Sequence, residues 1–326
     1  MPEKALSQCG FATYTRGMTR VKKLFPVAMT LVGLSLSATA CSAQEWAKAA
    51  LDKSPRHGEY VTLTEANGRK VQAWIVYPEV KDKVPVVVMI HEIFGLSDWA
   101  REMADEVAGA GYIVVEPDLL SGLGPAPGAA APAAAAAAGM PMDHAHMQME
   151  QGSAGAAFVP AMPGGTAAFP DQSAVVKAVS ALPDAQVLGD LDAAADYGKK
   201  LPAASGELSV AGFCWGGGKS FLFATHRKDL SAAFVFYGPP PSVDAMKNIT
   251  APVYGFYAGK DARISATVPQ TVIDMKAAAK VYDPVTYTGA GHGFMRAGEA
   301  PEADAPNSAA QAEGFRRLVK LLGGVR

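Results

Sequence analysis

The sequence predicts an α/β domain with a mostly parallel central sheet and helices on both faces. Three observations support this. Short unbroken apolar runs, such as "VPVVVMI" at 84–90, suit strands covered on both faces. Between them lie stretches with an apolar residue every three or four positions, the period of an amphipathic helix. The two patterns alternate from about residue 59 to the end of the chain, as βαβ units do, with one interruption at 121–170.

The chain starts with a different signal. Arg20, Lys22 and Lys23 precede an apolar run from Leu24 to Ala40, and small residues follow in "SATACSAQEW". That is the layout of a secretory signal. Residues 1–17 are too polar for a leader of this kind, so Met18 is the expected start, with cleavage after Ala40 or Ala43. Lipidation of Cys41 is the rival reading, although Ala38 fits the usual aliphatic position poorly. A retained anchor is the third reading, but the run is close to the minimum spanning length and contains Pro26. The expectation is a leader and signal peptide over 1–43 and a single domain over 44–326, exported to the periplasm or secreted. The 326 residues are 49% apolar and 18% charged with a formal net charge of −2, so neither a basic nor an acidic surplus points to nucleic acid.

The elements follow in order. "YVTLTEANGRKVQAWIVYP" alternates apolar and polar residues about Asn67-Gly68 and predicts a hairpin over 59–79. A buried strand follows at Val84–Ile90. Ser97 or Asp98 caps a helix whose Trp99, Met103 and Val107 share one face, and Gly109 and Gly111 stop it. Tyr112–Glu116 is a further strand, closed by Pro117. Residues 121–170 are rich in Ala, Gly, Pro and Met without a period, and read as a mobile insertion or lid. Helical spacing returns from Gln172 to about Lys200, broken near Pro183. Strands are expected at Leu208–Phe213, Ala232–Tyr237, Val253–Tyr257 and Val285–Tyr287. Helices are expected from Gly216, over Val268–Lys280, and over Ala309–Leu322 with Phe315, Leu318, Val319 and Leu322 inward.

The chemistry centres on "AGFCWGGG" at 211–218. Cys9, Cys41 and Cys214 are the three cysteines, and only Cys214 survives cleavage after Ala43. Gly212-Phe213-Cys214-Trp215-Gly216 has the spacing of a nucleophile elbow with Cys in place of Ser. Glycines flank a turn too tight for side chains, and the following helix N-terminus favours a thiolate, so Cys214 is expected to have a depressed thiol pKa. A bland alternative is a buried Cys at a glycine-rich packing site. The glycines make no phosphate loop, because Lys219-Ser220 comes too soon.

A thiol nucleophile needs a base and the base an orienting acid. Asp261 in "AGKDARI" and His292 in "GAGHGFMR" both follow strands, giving the nucleophile–acid–histidine order of the α/β-hydrolase arrangement. The other histidines fit less well: His57 is in a polar stretch, His226 ends a helix, His144 and His146 lie in the insertion, and His91 ends a strand. In "HEIFG" the Ile93 N–H is assigned, with that of Trp215, to an oxyanion hole. Glu92 either accepts a hydrogen bond from the resting thiol and shifts when substrate arrives, or is an ordinary surface carboxylate.

"HEIFGL", "GFCWGG", "GKD" and "GHGFMR", in this order over roughly 59–120 and 172–326, resemble the dienelactone hydrolase family. The resemblance implies an α/β-hydrolase fold, a Cys214–His292–Asp261 triad, help from Glu92 in activating Cys214, and a substrate carboxylate bound by Arg296. It implies cleavage of an ester or lactone through a thioacyl intermediate, with no cofactor and no metal among the site residues. The sequence departs from the family's characterised members in lacking a second carboxylate-binding arginine after Pro117-Asp118-Leu119-Leu120; none occurs before Arg227. That loss and the expected export favour a small ester or lactone other than a dienelactone. The alternatives are a non-catalytic binding protein on the same fold, and a hydrolase whose insertion, with Met140, Met142, His144, His146, Met147 and Met149, binds copper.

Overall fold

The structure, a computed structural model, describes residues 44–124 and 164–324. The expected signal segment and the Met/His stretch at 140–149 lie outside the described residues.

Helix α1 (Glu45–Leu51) precedes the hairpin of β1 (Gly58–Thr64) and β2 (Lys70–Val76). Gly68 at φ +89° supplies the left-handed residue that the Asn67-Gly68 turn requires. The chain continues through β3 (Val84–Ile90), α2 (Asp98–Gly109) and β4 (Ile113–Pro117). Ser97 caps α2 by accepting from the Ala100 N–H at 3.3 Å. After a 3₁₀ turn at Thr166–Ala168 come α3 (Gln172–Ser180), α4 (Asp184–Lys200), β5 (Ala204–Phe213) and α5 (Trp215–His226). The remainder is β6 (Ala232–Phe236), α6 (Val243–Met246), β7 (Val253–Ala258), α7 (Ala262–Ser265), α8 (Val268–Ala277), β8 (Tyr282–Tyr287), α9 (Phe294–Glu299) and α10 (Ala305–Gly324).

The eight strands form one sheet in the order β1-β2-β4-β3-β5-β6-β7-β8. The β1–β2 and β2–β4 pairs are antiparallel and the other five are parallel. Alternate strand residues feed two cores. Val86 and Val88 join Val187 and Leu191 of α4, whereas Val87 and Met89 join Trp99 and Met103 of α2 and Leu318 of α10. Burial on both faces is why the central strands are unbroken apolar runs.

The structure departs from expectation where elements are short or exposed. The helices α1, α6, α7 and α9 are too brief to show a period. Strand β8 starts at Tyr282, earlier than expected, because this edge strand carries Asp283 and Pro284 and alternates irregularly. On α10, Leu318 and Leu322 are buried, but Phe315 and Val319 are only half-buried. Residues 164–170 are held in place. Asp118 accepts from Thr166 N at 2.7 Å and from Thr166 Oγ1 at 2.8 Å, and that hydroxyl oxygen accepts from Leu96 N.

Candidate active site

Strand β5 delivers Cys214 into the first turn of α5 with φ +56° and ψ −116°, a conformation costing a non-glycine residue about 1–3 kcal/mol. The surroundings enforce it. A Cβ on Gly212 would lie 2.1 Å from the Gly216 carbonyl oxygen, and one on Gly216 would lie 2.4 Å from the carbonyl oxygens of Ile90 and His91. The Cys214 N–H donates to the Phe236 carbonyl at 3.0 Å, tying the bend to β6.

Loops at the same sheet edge bring the partners. His292 Nε2 lies 3.0 Å from Cys214 Sγ, and His292 Nδ1 lies 2.5 Å from Asp261 Oδ2. The other oxygen of Asp261 accepts from Ile264 N at 3.2 Å, capping α7, so the carboxylate is fixed from both sides. All three residues that sequence order brought together thus form one line of contacts. The backbone N–H groups of Trp215 and Ile93 both favour negative charge on the sulfur.

Glu92 is not a surface carboxylate: it is only 3% exposed. Its Oε2 accepts from Arg296 Nε at 2.7 Å, and the Arg296 guanidinium lies 5.0 Å from the centre of the Phe94 ring. Arg296, expected to meet substrate, therefore already has a partner. Burial pushes the Glu92 pKa up, and the charge of Arg296 opposes that shift.

The expectation of a depressed thiol is overturned. Burial, followed by the charge of Glu92, pushes Cys214 up to about 11, outweighing the N–H groups of Trp215 and Ile93 and the charge of Arg263. With its pKa raised, the Cys214 side chain rests as a neutral thiol.

Motif reading missed Tyr237. It follows β6 at φ +41°, is fully buried, and sets its ring edge against His292 with centroids 5.0 Å apart. The sole sequence signal is its place at a strand end before "GPPP". His91 is buried behind the site, stacked on Trp215 with Nδ1–H donating to the Glu92 carbonyl at 2.7 Å. His57 and His226 are remote, each beside its own carboxylate, Glu59 and Asp192. The site residues form no metal-binding cluster among the described residues.

With this geometry in place, relatives can be compared. The sequence profile of the dienelactone hydrolase family matches residues 71–325. The chain belongs to the dienelactone hydrolase family. It is accordingly a hydrolase of the ester- and lactone-cleaving class. A protein named "Putative carboxymethylenebutenolidase" in Salmonella typhi is 27% identical over 246 residues, covering 72% of this chain and 77% of the relative. A protein of the same name in Methylorubrum extorquens is 28% identical over 236 residues, covering 69% and 68%. The crystal structure of a Klebsiella pneumoniae protein described as a "Putative Dienelactone Hydrolase" superposes with a TM-score of 0.61 at 24% identity, covering 82% of this chain and 98% of that one. At that identity the superposition establishes the α/β-hydrolase fold.

Proposed function

We propose that this dienelactone hydrolase family member is an exported cysteine hydrolase that cleaves a small ester or lactone through a thioacyl intermediate on Cys214. The observation that carries the reading is the line of contacts Sγ–Nε2 at 3.0 Å and Nδ1–Oδ2 at 2.5 Å, set on a strained elbow.

The chemistry follows from the contacts. His292 Nε2 takes the thiol proton as Sγ bonds to the carbonyl carbon. The carbonyl oxygen becomes an oxyanion facing the N–H groups of Trp215 and Ile93, each worth about 3–4 kcal/mol. Collapse breaks the bond to the leaving oxygen, which takes the proton from His292. A water then gives His292 a proton and attacks the thioester. The second collapse releases the acid and returns the proton to sulfur. Asp261 holds the Nδ1–H tautomer throughout.

Because the resting thiol is neutral, a trigger is needed. A substrate carboxylate competing for Arg296 would release Glu92 and let its charge move away from the sulfur, easing loss of the thiol proton to His292. Export rests on residues 20–43 of the sequence.

The test is a panel of p-nitrophenyl esters, lactones and dienelactone against wild type and Cys214→Ala. We expect hydrolysis of small-acyl esters to fall to background in the variant with the circular dichroism unchanged. Undiminished turnover by Cys214→Ala would remove the assignment.

A further inference from the structure

We propose that Glu102, Glu106 and Glu299 form a calcium site that ties α2 to α9, away from the catalytic contacts. Glu102 and Glu106 sit one turn apart on α2, and Glu299 is the last residue of α9. One carboxylate oxygen from each lies within 4.8 Å of the other two, so small side-chain adjustments bring all three within the about 2.3–2.6 Å bonds of a single ion.

A second observation points to a ligand. Glu102 is 7% exposed and its hydrogen-bonding neighbour is another acid, Glu299; among the described residues its Oε2 is buried without a donor, as is Oε2 of Glu106. Glu299 differs in being held from outside. Its Oε2 accepts from Trp99 Nε1 at 2.6 Å and its Oε1 from Gln311 Nε2 at 2.7 Å. Such outer hydrogen bonds orient a ligating carboxylate and leave lone pairs for an ion. Arg56, the cation whose charge reaches Glu106, is already paired with Asp105.

Three carboxylates without a counter-charge are costly to bury. A proton shared between Glu102 and Glu299 would relieve that pair and leave Glu106 unsatisfied. One divalent cation satisfies all three. The donor set is oxygen only, which selects hard cations, and two ligands from one helix with a third from another suit the flexible shell of calcium better than the strict octahedron of magnesium. Water completes the shell. An ion here would fix α9, the helix that carries Arg296 and begins just after His292.

The test uses the full chain after chelator treatment. Terbium, a luminescent calcium mimic, is titrated in with excitation through tryptophan, since Trp99 touches Glu299. Thermal melts with and without calcium accompany it, on wild type, Glu102→Gln and Glu106→Gln. We expect saturable emission in wild type, reversed by excess calcium, and a calcium-dependent rise in Tm. Both variants should bind at least tenfold more weakly and lose the rise. Equal emission from wild type and both variants would place the ions elsewhere and overturn the site. So would the absence of any calcium effect in wild type with Glu102→Gln more stable at every calcium level, since the cluster would then hold a proton. The readout is ion binding, so it stands or falls independently of Cys214.

Discussion

The corner around Cys214 and the interior beneath α2 both bury carboxylates, and they treat the charge differently. At the corner each carboxylate has a partner: Asp261 has His292, and Glu92 has Arg296. Beneath α2, Glu116 on β4 is fully buried with no donor among the described residues to either oxygen, and Trp74, opposite it on β2, has an indole N–H without an acceptor among them. The difference teaches where charge is kept for use. Carboxylates with a polar partner are held in place beside the sulfur, whereas an unpartnered one such as Glu116 takes up a proton.

The comparison breaks most sharply at Asp261. Asp261→Asn should keep the cap on α7 but present an N–H to His292 Nδ1 and favour the wrong tautomer. We expect kcat to fall on the order of 10³-fold with the melting temperature little changed. A loss under tenfold would mean that the pairing is structural only.

Glu116 tests the other side. Burial raises its pKa from 4.5 to about 8, with Arg101 opposing and Asp118 reinforcing the shift. The folded state thus keeps a proton that the unfolded chain releases above about 4.5, so stability is lost as pH rises from about 4.5 to about 8. Glu116→Gln should remove part of that decline, on the order of 2–5 kcal/mol between those limits. Parallel pH–stability curves for the two proteins would show that Glu116 is not held protonated.

The smallest effect concerns Glu92 and the thiol. Since the charge of Glu92 helps raise the Cys214 pKa, Glu92→Gln should lower it, speeding iodoacetamide labelling at pH 8 by up to about tenfold. Slower or unchanged labelling would show that Glu92 does not control the sulfur.

Cys214, Asp261 and His292 were legible because each lies in a loop after a strand, and strand order fixes the edge where they meet. The Glu92–Arg296 pair was not, because its members are 204 residues apart and each motif had suggested a separate role. The state of the sulfur was misread for a related reason. A helix N-terminus is visible in sequence, but the burial and the neighbouring charge that outweigh it are not. Slow labelling of the resting thiol is therefore expected of the enzyme. The carboxylates of α2 were hidden because the helical spacing singled out only the apolar Trp99, Met103 and Val107. Glu299 belongs to α9, too short to carry a period.

The central claim is that carbon bonds to the sulfur of Cys214 during turnover. Rapid acid quench with an activated ester, followed by intact-mass and peptide mass spectrometry, tests it most directly. The account predicts one acyl group, on the peptide containing Cys214, present during turnover and absent in Cys214→Ala. Full turnover with no acyl group on Cys214 at any quench time, or with the label on another residue, would contradict it.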